Sequence, residues 1–336
     1  MYYYSYNLLK RYGLVLFLAG VLSVFIIGCG EEKTIYRVGV LSGLDFFAET
    51  VDGLKEEMTK LGYKEGKNIT YDLQKTNFDP IEEKRILQKF VSDKVDLIFT
   101  FPSEVTLLAK QITSRTNIPV VFAHASTEGF DLVESIRHPG GNITGVRYPT
   151  IEITIKRFEI LIEAMPLAKQ MWIPYQRGYP IVPPQLEILR PAAEAAGVKL
   201  IEVPADTAAE IQADLDARAK SSDIGIDAML MLVEPFSVTP DVFLVFGKFA
   251  ADHAIPIIGS FPVLGNYGSV FGINVNSRNT GKQAAPIIDK ILRGIPAGTI
   301  PVVSAESYLW INYPMAQKVG FPVSEGLLRK ADQVIR

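Results

Sequence analysis

Two successive series of strand-like and helix-like segments fill this chain, and they leave few architectures open. The first starts at Tyr36-Arg-Val-Gly-Val-Leu-Ser42, an apolar run of strand length. Apolar residues at Val51, Leu54, Met58 and Leu61 follow at helical spacing, and Gly62 ends that pattern. Residues 68–73, 96–100 and 118–123 read as strands; residues 80–92 and 103–113 read as helices. After a strand-like link at 142–147 the same grammar resumes. Helices over 150–165, 184–196, 208–219 and 239–253 alternate with strands at 170–174, 199–203, 227–233 and 255–259. Such alternation predicts the α/β class, with parallel sheets covered by helices. Two series predict two Rossmann-like lobes. The tail adds strands at 269–274 and 308–311, a helix over 279–293 with Asn279 or Thr280 as its N-cap, and a short helix over 314–319. Chain crossings near Val146, Asn274 and Ser304 would form a multi-strand hinge. They divide the chain into lobe one (36–146 plus about 275–303) and lobe two (147–274 plus about 304–336).

Ahead of the lobes stands a different kind of segment. Lys10 and Arg11 precede the mostly apolar run from Gly13 to Ile27, then Gly28 and Cys29, the one cysteine of the 336 residues. A basic flank, an apolar stretch and small residues make the layout of a secretory leader. The run is short for a spanning helix, which needs about twenty apolar residues. Ile26-Ile27-Gly28-Cys29 resembles a bacterial lipobox. That resemblance implies a signal peptide over 1–28, lipid on Cys29, and a short polar tether over 29–35. It places the rest of the chain outside the cytoplasm, anchored to a bacterial membrane. The competing reading is an uncleaved anchor with an incidental cysteine.

Composition removes several function classes. Basic and acidic residues number 34 and 37 and are dispersed, so no basic stripe offers itself to nucleic acid. One cysteine builds neither an internal disulfide nor a cysteine-rich zinc site. His124, His138 and His253 lack metal-ligand spacing and read as plain structure, although a nucleophile–histidine pair in space stays open. The turn Pro139-Gly-Gly-Asn lacks the lysine and hydroxyl of a phosphate loop and reads as a tight turn into the hinge strand. No Gly-x-Ser-x-Gly elbow, metal cluster or cofactor loop points to an enzyme. No cofactor is expected.

Residues 117–146 carry a family resemblance, densest at Pro139-Gly-Gly-Asn-Ile-Thr-Gly145. With Gly53-Leu54, Leu61-Gly-Tyr63, Gly66-Lys-Asn68, residues 90–97, Ile291-Leu-Arg-Gly294 and residues 308–312, the chain resembles substrate-binding proteins of ABC importers. The branch it is most similar to includes tryptophan- and tyrosine-binding lipoproteins. The resemblance covers nearly all of the chain after the leader and is looser in lobe two. It implies a periplasmic-binding-protein-like fold, a small-molecule ligand held between lobes, and a permease transmembrane subunit as partner.

In open α/β sheets ligands sit outside the carboxyl ends of the strands. In lobe one those loops hold Ser42, Asp45, Phe46, Phe101, Pro102, Ser103, His124 and Ser126. In lobe two they hold Tyr175 or Tyr179, Glu234, Phe236, Ser260 and Phe261. Five of the six loops carry an aromatic residue, as a mostly apolar pocket with a few placed polar groups requires. Ser103 and the N–H groups after it suit a carboxylate; Asp45 or Glu234 suits an ammonium. Each residue also has a structural reading, as loop packing for the phenylalanines and as an N-cap for Ser103. The loops depart from the family pattern: Gly43-Leu-Asp-Phe-Phe47, Phe101-Pro-Ser103 and Ala125-Ser-Thr-Glu128 replace its glutamine with His-Pro, its Thr-Pro and its aspartate-proline. An apolar or aromatic carboxylate is therefore the expected ligand, an aromatic amino acid being one member of that class. A ligand-sensing domain for a receptor is the alternative, and an enzyme on the same scaffold the lesser one.

Overall fold

A computed structural model describes residues 35–43 and 48–336; Cys29, Asp45 and Phe46 lie outside the described residues. The first series forms β1 (Tyr36–Ser42), β2 (Ile69–Lys75), β3 (Leu97–Phe101), β4 (Val120–Ala125) and β5 (Ile143–Arg147), joined by the late strand β11 (Val303–Ser304). The order across the sheet is β11-β5-β4-β3-β1-β2, and every pairing is parallel. β3, β4 and β5 are buried at every residue, because helices cover both faces. Those helices include α1 (Ala48–Lys60), α2 (Pro80–Ser92) and α3 (Ser103–Thr113). Asp79 starts α2 by accepting the N–H groups of Ile81 and Glu82, with Pro80 in the first turn where its missing N–H costs nothing.

The second series forms β6 (Gln170–Gln176), β7 (Lys199–Ala205), β8 (Ala228–Leu230), β9 (Ile257–Ile258) and β10 (Phe271–Val275), with β12 (Ser307–Asn312) and β13 (Gln333–Ile335). Their order is β13-β12-β10-β9-β8-β6-β7, parallel except between β10 and β12. Helices α4 (Thr150–Ala164), α5 (Val182–Ala195), α6 (Ala208–Ala219) and α7 (Pro240–Asp252) connect them. The fold is the expected α/β pair of parallel-stranded lobes. In each sheet the first strand, β1 or β6, has its second and third strands on opposite sides, which is where such sheets bind ligands.

The chain passes between the sheets after β5, after β10 and after β11. The second passage enters α8 (Ser277–Leu292), which lies against α1 of lobe one. Its cap is Asn276, whose side chain accepts the N–H of Asn279 at 2.9 Å; neither Asn279 nor Thr280 is the cap, as the sequence had suggested. Tyr63 donates to Asp289 of α8 at 2.9 Å, and Tyr36 to the carbonyl of Leu292 at 3.2 Å. Gly140 and Gly141 both hold left-handed backbone (φ 74 and 54), forming the tight turn that opens β5. The N–H of Gly140 goes to the carbonyl of Gly298 at 3.1 Å, so this turn also ties the return segment to lobe one. After α9 (Tyr313–Lys318), the tail carries α10 (Glu325–Lys330) and β13, neither foreseen from sequence.

Candidate functional site

Across the two facing carboxyl edges, loops meet directly. Tyr179, after β6, donates its hydroxyl to Glu104 in the first turn of α3 at 2.6 Å. Its ring stands edge-on to Phe130 of lobe one, centroids 6.2 Å apart. A side chain on Gly129 would lie 2.1 Å from the carbonyl of Pro180, so only glycine lets these loops approach. Ile181 is buried among lobe-one residues that include Phe130 and Leu132. Burial, then Glu104, then Glu234 raise the pKa of Tyr179, which puts two carboxylates around one phenol.

Ser103 is the first residue of α3 rather than its cap. The cap position is Pro102, reached through a cis peptide from Phe101, and it offers no side-chain hydrogen bond to the helix. The Ser103 hydroxyl accepts the N–H of Ser126 at 3.0 Å, joining the loops after β3 and β4. The Ser126 hydroxyl lies 3.1 Å from Thr150 at the start of α4, beside the first passage.

Several expected residues sit elsewhere. His124 is 2.8 Å from the Thr50 hydroxyl of α1, and burial pushes its pKa down to about 3. It sits at the register shift between Ala123 and Ala125 in the β4–β5 pairing and has φ 50, so the irregularity re-aims its ring. Phe101 is fully buried, edge-on to Phe99 and His124. Phe236 is buried in the lobe-two core with Phe243 and Phe246, and Phe261 stands edge-on to Phe243. These aromatics pack within their own lobes. Ser42 ends β1, where its carbonyl accepts from Thr76 at 3.2 Å. Tyr175 donates to Glu202 at 3.2 Å, over β7. Ser260 donates to the carbonyl of Ser237 at 2.6 Å. Glu234 accepts the N–H groups of Gln176 at 3.1 Å and Ser237 at 3.2 Å, capping a 3-10 turn over Pro235–Val238. Burial outweighs those bonds and raises its pKa to about 7.

Two arginines at the passages escaped the sequence reading. Arg147 ends β5 and donates to Ser304 of the third passage at 3.0 Å and to Glu128 at 2.8 Å, and it pairs with Glu152 of α4. Arg157 lies inside α4, buried beneath the second sheet. Its signal was present: Ile153, Arg157 and Leu161 are spaced by four, which puts position 157 on the apolar face. Burial raises the pKa of Tyr148, which lies in the first passage. A surface hollow of about 550 Å³ lies at the other edge of the first sheet, beside Tyr36, Asp96, Pro119 and Asn142. It faces the amino ends of the strands, where this class of sheet does not bind ligands.

The Tyr179–Glu104 bond makes the contact between the lobes testable. A hydrogen bond to a charged group contributes about 1.5–3 kcal/mol. Tyr179→Phe keeps the ring and removes the bond, so the ratio of closed to open ligand-free protein is expected to fall about tenfold or more. Small-angle scattering should show a larger radius of gyration for the variant. Superimposable profiles would mean that this bond does not hold the lobes together.

The family model for ABC transporter substrate binding proteins matches residues 38–335. A tyrosine-binding protein of Clostridioides difficile (strain R20291) is 27% identical over 314 residues, covering 87% of each chain. A Streptococcus pneumonia ABC domain solved with L-Trp superposes with TM-score 0.75 at 21% identity, covering 90% of this chain and all of that one (100%). The ligand-free, open structure of a Clostridium difficile substrate-binding protein with adhesive properties gives 0.71 at 22% identity, over 90% of this chain and 99% of that one. These likenesses agree with the two-sheet architecture described above. The chain belongs to the ABC transporter substrate binding protein family.

Proposed function

We propose that this protein is an extracytoplasmic solute-binding lipoprotein of an ABC importer, which traps an aromatic or apolar amino acid between two lobes and delivers it to a permease. The observation that carries the reading is the facing pair of carboxyl edges, bridged by Tyr179 and Glu104 and connected by three chain passages. Lobe one comprises 36–146 with about 275–303, and lobe two the remainder after the tether. Closure about those passages would bury the solute and present a closed shape to the permease. Ser103 and Ser126 supply polar wall on one side. Glu104 and Glu234 make the region around Tyr179 acidic, which favours a solute ammonium. The tyrosine-binding relative and the L-Trp complex support an aromatic amino acid as the solute.

Among the described residues no helix is long and apolar enough to cross a membrane, and no cluster of histidine, cysteine and carboxylates could hold a metal. In this reading attachment comes from Cys29, and acyl chains contribute about 0.8 kcal/mol per buried methylene.

Thermal unfolding of the purified chain with L-tyrosine, L-tryptophan and L-phenylalanine tests the reading. A binder present at about a hundred times its Kd stabilises by about 2.7 kcal/mol, a shift of several degrees. Expression of the full chain adds the anchor: wild type should sediment with membranes and Cys29→Ser should not. No shift with any amino acid would remove the solute assignment, and a soluble wild type would remove the anchor.

A further inference from the structure

Arg157 is a buried cation with only neutral partners. The residue is 2% exposed. Its Nη1 donates to the carbonyl of Met231 at 3.1 Å. Its Nη2 donates to the carbonyl of Ile273 at 2.7 Å and to the side-chain oxygen of Asn274 at 3.2 Å. Its Nε is enclosed and has no hydrogen-bond partner among the described residues. No carboxylate among the described residues forms an ion pair with it; the other charged groups of its own helix, Glu152, Lys156, Glu159 and Glu163, pair elsewhere. Burial lowers its pKa to about 10, which leaves it a cation at neutral pH.

Its place in the fold is as telling as its partners. Side chains on a helix tilt toward the amino end, and the amino end of α4 is the first passage between lobes. The guanidinium accordingly reaches the carboxyl ends of β8, β9 and β10. Met231 follows β8, Ile273 and Asn274 lie near the end of β10, and Gly259 follows β9. A side chain on Gly259 would come within 2.7 Å of the guanidinium, and its φ of 88 also favours glycine. Tyr148, from the first passage, is within electrostatic reach. A brace over carbonyl groups needs N–H donors but no charge. A buried charge without a counter-charge is costly, and it is tolerated where an anion completes it.

We propose that Arg157 is the anion anchor between the lobes, and that parting of the lobes uncovers its enclosed Nε edge for the carboxylate of the solute. This rests on the solute-binding reading above. It also orients the solute: carboxylate toward the β10 passage, and the acidic region around Tyr179 on the side of β6, farther from the passages. Arg157 is absent from the strand-end loops where carboxylate binding was first expected.

The test compares acids with their neutralised analogues by calorimetry on the full chain. The probes are L-tyrosine, L-tryptophan and L-phenylalanine, their carboxamides, and tyramine, tryptamine and phenethylamine. Wild type should bind the preferred acid about a hundredfold more tightly than its amide or amine, the scale of a buried charge pair losing one partner. Arg157→Gln keeps N–H donors for the carbonyl groups and removes the charge. It should lose about a hundredfold for the acid and less than threefold for the amide, so the preference collapses. The wild-type comparison needs no variant to fold. Equal wild-type affinity for acid and amide overturns the assignment of Arg157, as does an acid preference that survives Arg157→Gln. If no probe binds wild type, the solute-binding reading fails first and takes this one with it.

Discussion

Gly281→Val is expected to destabilise lobe one by at least about 3 kcal/mol, through a contact between two backbones that nothing can relax. A Cβ at position 281 would lie 1.9 Å from the backbone carbonyl oxygen of Thr50, where ordinary contact begins near 3.4 Å. The reciprocal position behaves the same way: a Cβ at Gly53 would lie 1.9 Å from the carbonyl oxygen of Arg278. Helices α1 and α8 therefore touch main chain to main chain at two glycines. Parting them would unpack Val51 and Leu54 from Ala284, Ala285 and Ile288, all buried there. It would also strain the Tyr63–Asp289 bond and the pairing of Arg278 and Lys282 with Glu56. Helix propensity pulls the other way by less than about 1 kcal/mol, because glycine is the poorest non-proline helix former. Gly326→Ala is the control. Gly326 is an exposed glycine of α10 whose nearest neighbour to a new Cβ is the Ser324 hydroxyl at 3.7 Å. There the propensity gain stands alone, and stability should rise by about 0.5–1 kcal/mol. Denaturant midpoints for the two variants should move in opposite directions. A Gly281→Val protein as stable as wild type would show that the seam does not hold the return helix to lobe one.

That seam explains much of what the sequence could and could not disclose. β3, β4 and β5 were legible because strands covered on both faces read as continuous apolar runs. Helix α8 was legible too, but its destination was not. Gly53 and Gly281 are ordinary glycines until the fold sets them opposite each other. Length was misread where tertiary contacts end a strand: β8 stops at Leu230, and the next carbonyl, on Met231, bonds to Arg157. The tail escaped because α10 offers only Leu327 and Leu328 as apolar material. At the candidate site the loops could be named from sequence, but not what their side chains pack against. The re-aiming of His124 depends on a pairing irregularity between β4 and β5, which is a property of register. The role of Ser103 depends on the loop after β4 arriving beside it. Tyr179 was visible as a loop residue and position 104 as part of the helix over 103–113, but their bond exists only once the lobes face each other.

Two buried groups should give the folding stability opposite slopes with pH, and removing either should expose the other. His124 has a folded pKa near 3 against an ordinary 6.5. Below pH 6.5 the unfolded chain takes up a proton that the folded chain refuses, so its contribution is lost as pH falls from about 6.5 toward 3. Glu234 has a folded pKa near 7 against an ordinary 4.5. Above pH 4.5 the unfolded chain releases a proton that the folded chain keeps, so its contribution is present at low pH and lost as pH rises from about 4.5 to 7. Each shift corresponds to about 1.4 kcal/mol per pH unit, hence on the order of 5 kcal/mol for His124 and 3 kcal/mol for Glu234 across their ranges. Between pH 4.5 and 6.5 the two slopes oppose each other and nearly cancel. Glu234→Gln keeps an acceptor for the N–H groups of Gln176 and Ser237 and removes the titration. Relative to wild type it should gain about 3 kcal/mol between pH 4.5 and 7. His124→Asn suits the left-handed backbone at that position, where φ is 50, and removes the opposing slope. Relative to wild type it should gain stability as pH falls below 6.5. Urea unfolding at half-unit pH steps reads both differences directly. Parallel curves for wild type and Glu234→Gln would mean that Glu234 ionises in the fold as it does in water, with a wetter environment around Tyr179 than the one described.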